Sequence, residues 1–443
     1  LDIDADTLTE IRQYAEYHTD RDTYQAMEGL VHNLCTLACL DPDERIWVYD
    51  YAKEEWTIYT AQELDVLYTS GKFGALSYNL KTKEVELQPI TAIKKSKNTK
   101  RMVRLADTTG SSEYITYDHR CLTKGKEVGT FEYKRAKELT ETIIPCNFTL
   151  PTTSIKPGFK EDTDQDKTRA FALTELFAYY LNDGCIAFDD DDASTTVVKI
   201  RMPKNLDNAK VYFTDLCKRA FPELNPKMYV EKEKNIDRFC IDDESVATTL
   251  IESCGFGNSK YHGFIPKSIM HGSLSVKRVF IRSLVRCASK KTKYKYFLTF
   301  YSKDFLQQFR LLLLSLGVLM TYSGDKHKYT GVVYESDIVN INMYPDNEPS
   351  YIAANVSNIE EAKMPEFVYD IEVAKNHNFM SADGVVLKNS RAGSQVPFSS
   401  INFGTDTTLE GRMVIKNILL ATEAGLGNGE TAIFPISIFR MRK

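Results

Sequence analysis

Apolar residues recur at helical spacing through Ile11, Tyr14, Tyr17, Tyr24, Met27, Leu30 and Val31, so residues 6–34 predict helix. From Cys39 the texture changes. Ile46–Tyr49, Trp56–Tyr59, Phe73–Leu80, Val85–Leu87, Pro89–Ile93, Met102–Leu105 and Tyr114–Thr116 are short β-type runs divided by polar turns. Asp162–Thr168 is charged, has no apolar period and reads as a linker. Beyond it Ala170–Leu181 predicts a helix, Thr195–Ile200 a strand and Asn208–Phe221 a helix. Val279–Val285, Tyr296–Tyr301 and Phe305–Val318 repeat that order, an approximate internal duplication. The β texture returns at Tyr329, runs through Gly331–Tyr334, Ile338–Met343 and Phe367–Val373, and stops at Ser390. Thr407–Glu410 has capping-box spacing and opens a helix to about Ala424, with Gly425 as its C-cap. The predicted order is helix, β domain, α/β insert, β domain resumed, helix.

A chain of 443 residues allows about three domains. The net charge of −5 selects no partner, because local blocks can oppose the average. No apolar run approaches the roughly 18–20 residues of a membrane span. The start, Leu1-Asp-Ile-Asp, is acidic and unlike a signal peptide. Lacking Met, it reads as a fragment of a longer chain. The nine cysteines form no CxxC pair and no zinc-ligand spacing. Free thiols in a reducing cytoplasmic compartment are expected.

Four elements carry candidate chemistry. Cys39 opens the β texture, and its thiolate lies beside the Ala38 carbonyl, where proximity replaces a second reactant. Tyr114-Ile-Thr116-Tyr-Asp-His119 supplies a T-x-x-H pattern: His119 to protonate the leaving nitrogen, Thr116 to orient and polarise the bond. Asp370 and the His377-Asn378 pair follow in the second β block. Asn389-Ser390 closes it, and the side-chain amide of Asn389 can cyclise onto its own carbonyl. Singly, each is ordinary strand or turn chemistry. Together, in this order, they resemble an intein over residues 39–389. The resemblance implies an all-β Hint (horseshoe) splicing domain at 39–165 and 331–389, interrupted by an α/β insert at 166–330. It implies self-processing in a single turnover: thioester at Cys39, transfer to Ser390, Asn389 cyclisation, and an Ala38–Ser390 peptide bond. Asp370 would assist the middle steps and His377 the cyclisation. No cofactor is needed for splicing. Lys388 stands where inteins commonly carry His, and its ammonium cannot serve as an imidazole does.

With 39–389 removed, the flanks 1–38 and 390–443 join without a gap. Arg21–Met27, His32–Ala38, Ser390–Asp406 and Glu423–Gly429 resemble the anaerobic (class III) ribonucleotide reductase catalytic subunit. The flanks would be the chain's own splicing partners. The radical-bearing glycine and the thiyl-cysteine motif lie outside this fragment, so no reductase activity is expected.

The insert resembles a LAGLIDADG homing endonuclease. Leu173–Gly184 matches the first motif helix, ending in Asp183 as a metal ligand; Gly255–Pro266 matches the connecting segment. In the second motif helix, Val279–Ser289, the acidic position is Ala288 and the glycine is Ser289, through drift or a deliberate replacement. A Mg²⁺ site with one carboxylate of two would cut weakly at most. Lys277, Arg278, Arg282, Arg286, Lys290, Lys291, Lys293 and Lys295, continuing to Lys303 and Arg310, suggest a phosphate-binding face for double-stranded DNA; a solvated charged face is the plainer reading. Asp189–Asp192 lacks EF-hand spacing and reads as a turn. Cys35, four residues before Cys39, would allow a masking disulfide. Two other readings stay open: a DNA-binding or DNA-cutting protein with splicing lost, and an inert insertion blocked at Lys388.

Overall fold

The computed structural model describes residues 39–127, 129–152, 159–188, 196–203, 206–233, 236–255, 261, 263–325, 327–341, 350–389, 400–424 and 436–440. The helix expected at 6–34, Cys35, Ala38, Asp189–Asp192, Ser390 and Gly425 lie outside them, as does most of the connecting segment at 256–262. The chain divides into two units, Leu1–Arg391 and Ala392–Lys443.

In the first unit, three antiparallel sheets are formed by the β blocks on either side of the insert. One orders Glu55–Thr60, Arg45–Asp50, Phe73–Asn79, Glu84–Lys97 and Phe367–Val373. Its inner strands Arg45–Asp50 and Phe73–Asn79 are buried almost throughout, while the edge strand Glu55–Thr60 is only half-buried. Thr60 and Glu63 close a capping box that starts the short helix Ala61–Leu67. The second sheet orders Ser112–Thr116, Met102–Asp107, Tyr351–Ala362 and Glu141–Pro145; the third orders Asn378–Met380, Val386–Lys388, Arg120–Lys124 and Phe131–Arg135. Strands from before and after the insert therefore interleave in every sheet. The two β blocks form one body, as expected of the splicing domain.

The insert holds two four-stranded antiparallel sheets. In one, Gly184–Phe188, Thr196–Arg201, Ile236–Asp242 and Lys227–Glu233 lie side by side. In the other, the order is Lys290–Lys291, Lys295–Phe300, Lys328–Tyr334 and Thr321–Asp325. Both read first, second, fourth, third in chain order, and each is preceded by a long helix, Asp164–Asp183 or Leu274–Arg286. The internal duplication is thus present in the topology. The two helices pack on each other, bridged where Glu175 accepts from Ser283 Oγ (3.3 Å) and from Arg286 (3.0 Å).

Five sequence expectations shift, the first at Ile338, which is expected to open a β run to Met343 and instead lies in the helix Glu335–Val339. The polar stretch at 162–168 is no linker beyond Thr163: Thr163 and Asp166 make a capping box, and the helix starts at Asp164. That first turn is polar because it is exposed. The second motif helix ends at Arg286, three residues short of Ser289. Gly331–Tyr334 belongs to the insert's second sheet, paired with Lys295–Phe300. The splicing body resumes only with Tyr351–Ala362, which pairs with both Glu141–Pro145 and Met102–Asp107, so a boundary at 331 is too early. In the second unit, Thr408 rather than Thr407 caps the helix Leu409–Ala424, accepting from Gly411 N (3.1 Å). That helix lies between two parallel strands, Ser400–Phe403 and Ile436–Phe439. No helix among the described residues is long and apolar enough to cross a membrane.

Candidate functional site

Leu40 bridges two strands at once, antiparallel to Ile115 on one side and to Tyr369 on the other. Its N–H donates to Tyr369 O (2.7 Å) and its carbonyl accepts from Tyr369 N (3.0 Å). This register sets Cys39 between Thr116 and Asp370. The N–H of Cys39, the nitrogen of the bond to Ala38, donates to Thr116 Oγ1 at 3.0 Å. Thr116 N in turn donates to Cys39 O (2.9 Å), and His119 N donates to Thr116 O (2.9 Å). The T-x-x-H segment is thereby wrapped around Cys39. Cys39, Thr116, His119 and Asp370 are all buried.

Burial dominates the electrostatics. It pushes the Cys39 thiol up to about 12; Asp370 and Asp118 add to the push, while Lys100 and Lys94 oppose it. The thiolate is then on the order of one part in 10⁵ at neutral pH. Burial pushes His119 down to about 4, against Asp118 and a polar contact with the Cys39 main chain. At neutral pH the imidazole is uncharged, with one nitrogen a donor and the other an acceptor. Neither nitrogen has a hydrogen-bond partner of good geometry among the described residues. An uncommitted buried imidazole costs stability, which is the situation of a group held for a reaction.

One pair escaped the sequence reading. Lys100 and Asp118 form a largely buried ion pair at 2.5 Å, and both charges reach Cys39 and His119. Asp118 was findable as the neighbour of His119. Lys100 was not, because the pairing of Met102–Asp107 with Ser112–Thr116 brings it there.

Asn389, just after the strand Val386–Lys388, sits against the far end of the strand that pairs with Leu40. Its Nδ2 donates to Val373 O (2.9 Å) and its main-chain N to His377 O (2.9 Å). Asp370 and Val373 are three residues apart, roughly 10 Å of strand. One strand, Phe367–Val373, therefore positions both ends of the 39–389 segment. Oδ1 of Asn389, though buried, has no partner among the described residues. His377 adopts φ +52°, the left-handed region that His tolerates better than most residues, and this turn aims its carbonyl at Asn389. Asn378 is wholly buried and committed to Ser77, Tyr78 and Tyr133, so it locks the hairpin rather than reacting. Lys388 stands over the Tyr133 ring, 4.8 Å from its centroid. Burial, with help from Arg120, pushes its pKa down. Its ammonium is thus used in packing.

In the insert, Asp183 Oδ2 is 3.3 Å from Arg201 Nη1, and the second acidic position is Ala288. The donor set does not fit a pair of divalent metals, and the one carboxylate already faces a guanidinium. Among the described residues no cluster of three His, Cys, Asp or Glu side chains could hold a metal ion. The expected basic face also needs correction. Lys277 is only 9% exposed, and burial lowers its pKa. Arg310 is fully buried, and Lys303 leans toward Asp383 (4.0 Å). Their helical period turns these side chains inward. Arg286 pairs with Glu175 (3.0 Å) and Lys291 with Glu335 (2.9 Å). Arg282, Lys290 and Lys293 are exposed, Arg278 and Lys295 half-buried. Lys290, Lys291, Lys293 and Lys295 stand over the rings of Phe297, Tyr296, Tyr294 and Tyr334, so their charges are held on aromatic faces.

Comparison with known proteins gives two adjoining family matches. The intein splicing domain matches residues 52–389. The anaerobic ribonucleoside-triphosphate reductase family matches residues 386–443. The two overlap at residues 386–389, next to the Asn389–Ser390 bond. Among solved structures, the chain is similar to an intein from a hyperthermophile at 12% identity and TM-score 0.30, covering 80% of this chain and 99% of that one. The Pab PolII intein is similar at 13% identity and TM-score 0.30, covering 79% and 100%. Mesophilic variants of the homing endonuclease I-DmoI are similar at 16% identity and TM-score 0.32, covering 39% and 94%. No curated protein matches the chain by sequence.

Proposed function

The chain belongs to the intein splicing domain family, and from that premise we propose that it excises residues 39–389 and joins Ala38 to Ser390. The observation that carries this reading is the pairing of Cys39 between Thr116 and Asp370, with its N–H on Thr116 Oγ1 at 3.0 Å. In the first step Cys39 Sγ attacks the Ala38 carbonyl carbon, the C–S bond forms and the C–N bond breaks. The thiol proton must reach the departing nitrogen. Neutral His119 can accept it on one nitrogen and return a proton from the other, so no free thiolate is needed. Thr116 Oγ1 already accepts from that nitrogen and holds it more strongly as the nitrogen gains a proton and charge. Ser390 Oγ then takes the acyl group and releases the Cys39 thiol, with Asp370 beside the exchange. Asn389 Nδ2 attacks its own carbonyl carbon, forming a succinimide and freeing the Ser390 amine, which captures the acyl group from its own oxygen. His377 assists this cyclisation.

For the insert we propose a homing endonuclease that has lost cleavage. Arg201 on Asp183 and alanine at 288 support this. Double-stranded DNA bearing the uninterrupted junction is its proposed ligand, through Arg282, Lys290 and Lys293. The flanking segments are a reductase fragment, without complete reductase activity. Expression of the chain tests the main reading. An excised 39–389 product and a ligated 1–38/390–443 product are expected by mass; a full-length band that persists with and without thiol would refute it. Incubating the chain with Mg²⁺ and the junction DNA should give no cut product.

A further inference from the structure

The helix Lys303–Ser315 belongs to the insert and buries mainly apolar side chains, yet Gln307 and Arg310 are buried with them. Arg310 is 0% exposed and Gln307 1%. Every bond of Arg310 but one leaves the insert. Nε donates to Asp383 O (3.1 Å), Nη2 to Thr109 Oγ1 (2.8 Å) and Ser111 Oγ (3.0 Å), and Nη1 to Thr109 O (3.3 Å); Met320 O (2.7 Å) is the remaining acceptor. Gln307 donates to Asp383 Oδ1 (3.0 Å) and accepts from Arg45 Nε (2.9 Å). Arg45 also pairs with Asp304.

These acceptors sit on two turns. Thr109 and Ser111 lie in the turn joining Met102–Asp107 to Ser112–Thr116. Asp383 lies in the turn joining Asn378–Met380 to Val386–Lys388. The first hairpin ends at Thr116, against Cys39; the second ends at Asn389. Thr116 is five residues from Ser111 and Asn389 six from Asp383, roughly 17 and 20 Å of strand. One insert side chain therefore ties together the far ends of both hairpins that deliver the reacting groups. The contact continues in the main chain. Tyr322 N donates to Thr109 O (2.9 Å), and a Cβ on Gly110, which has φ +96°, would come within 2.0 Å of Tyr322 O. The turn that receives the guanidinium is itself held together. Asp107 Oδ1 accepts from Thr109 and Ser111 N–H groups (2.8 and 3.2 Å). Glu44 and Glu113 hydrogen-bond to each other with raised pKa values caused first by burial, and Ser381 Oγ donates to Glu113 (2.8 Å).

We propose that the insert serves splicing as a brace, with Arg310 a positioning residue that fixes the hairpins of Thr116 and Asn389 relative to each other. This rests on the splicing assignment above. It makes the insert a working part of the splicing body whether or not it meets DNA. Strands held at one end by hydrogen bonds transmit a displaced turn to the other end, and a misplacement of about 1 Å at a reacting group costs on the order of 10²-fold in rate.

The test measures both junctions in the full chain: thiol-induced cleavage before Cys39 and release after Asn389, in the parent, Arg310→Met, Arg310→Lys and Gln307→Leu, at a temperature where circular dichroism shows each folded. Arg310→Met should slow both junctions by roughly ten- to a hundredfold. Arg310→Lys, which keeps the charge and part of the bonding, should recover part of the loss. Amide exchange should quicken at Ser112–Thr116 and Val386–Lys388 together. If Arg310→Met does not fold, Gln307→Leu carries the test, with a smaller loss at both junctions expected. Folded variants that process both junctions within twofold of the parent would overturn the brace while leaving the splicing assignment intact. A parent that never splices would overturn that assignment instead.

Discussion

Replacing Thr116 with valine isolates the hydroxyl that accepts the Cys39 N–H. The side chain is 0% exposed and nearly isosteric with valine, so packing is kept while the acceptor at 3.0 Å is lost. A buried N–H without a partner costs about 1–3 kcal/mol in the folded chain. That cost falls on ground and transition states alike and sets the loss of stability, not of rate. The rate responds to the difference. Net hydrogen bonds to neutral groups contribute about 0.5–1.5 kcal/mol and those to charged groups about 1.5–3. As the nitrogen gains a proton, the Thr116 bond should strengthen by roughly 1–1.5 kcal/mol, or about five- to twelvefold in rate. The assay is thiol-trapped release of residues 1–38 in an Asn389→Ala, Ser390→Ala background, where only the first step can proceed. Thr116→Val should be about tenfold slower, and Thr116→Ser, which keeps the oxygen, close to the parent. Equal rates for valine and the parent, or a serine variant as slow as valine, would refute the role assigned to this oxygen.

Trapped cleavage at Cys39 should be nearly independent of pH from about 5 to 9 under saturating thiol, because a neutral thiol and neutral His119 exchange a proton internally; a tenfold rise per pH unit would show reaction through free thiolate. The depressed pKa of His119 stabilises the fold above the free value of 6.5, and that contribution is lost as pH falls through about 4. It amounts to roughly 3 kcal/mol, and urea titrations of His119→Gln should lack that acid-dependent loss. Lys388→Met should leave Asn389 cleavage within about threefold of the parent, since the ammonium packs on Tyr133. His377→Gly, which relieves the φ of +52° while deleting the imidazole, should slow the same cleavage tenfold or more; release rates by mass spectrometry decide both. Ala288→Asp alone should not produce DNA cleavage with Mg²⁺, because Arg201 still faces Asp183.

The residues proposed to react could be picked out as candidates because their order along the chain reflects local constraints. Thr116 and His119 are spaced so that one turn after a strand wraps Cys39, and Asn389 ends a hairpin opened by His377. What was not legible depends on where strands meet. Lys100 reaches His119 only through the pairing of neighbouring strands, and Val373 contributes a carbonyl, which no side-chain pattern records. Lys328–Tyr334 alternates as a splicing strand would, and alternation does not say which sheet a strand joins. Arg310 misled most. In sequence it extends a basic run, whereas its bonding partners lie some 200 residues before it and 73 after it. Charge counts locate cations, and only the fold decides whether they face solvent or a buried carbonyl.

The three groups proposed to react share one physical condition. Burial protonates Cys39, discharges His119, and pins Asn389 by its nucleophilic nitrogen. A free cysteine with the ordinary value of 9.0 is about one part in 10² thiolate at neutral pH. The folded site holds about a thousandfold less, so folding lowers the supply of the usual nucleophile. Acceleration must then come from placement: a proton acceptor and donor in one imidazole, a fixed acceptor for the leaving nitrogen, and an attacking atom on the same residue as the bond it breaks. Such a site is inert until its strands are in register, because each element arrives on a different strand. Chemistry that waits for folding protects an incompletely folded chain from cleavage. It also makes the register of the two hairpins the quantity that sets the rate, which is why a side chain as distant as Arg310 can govern it.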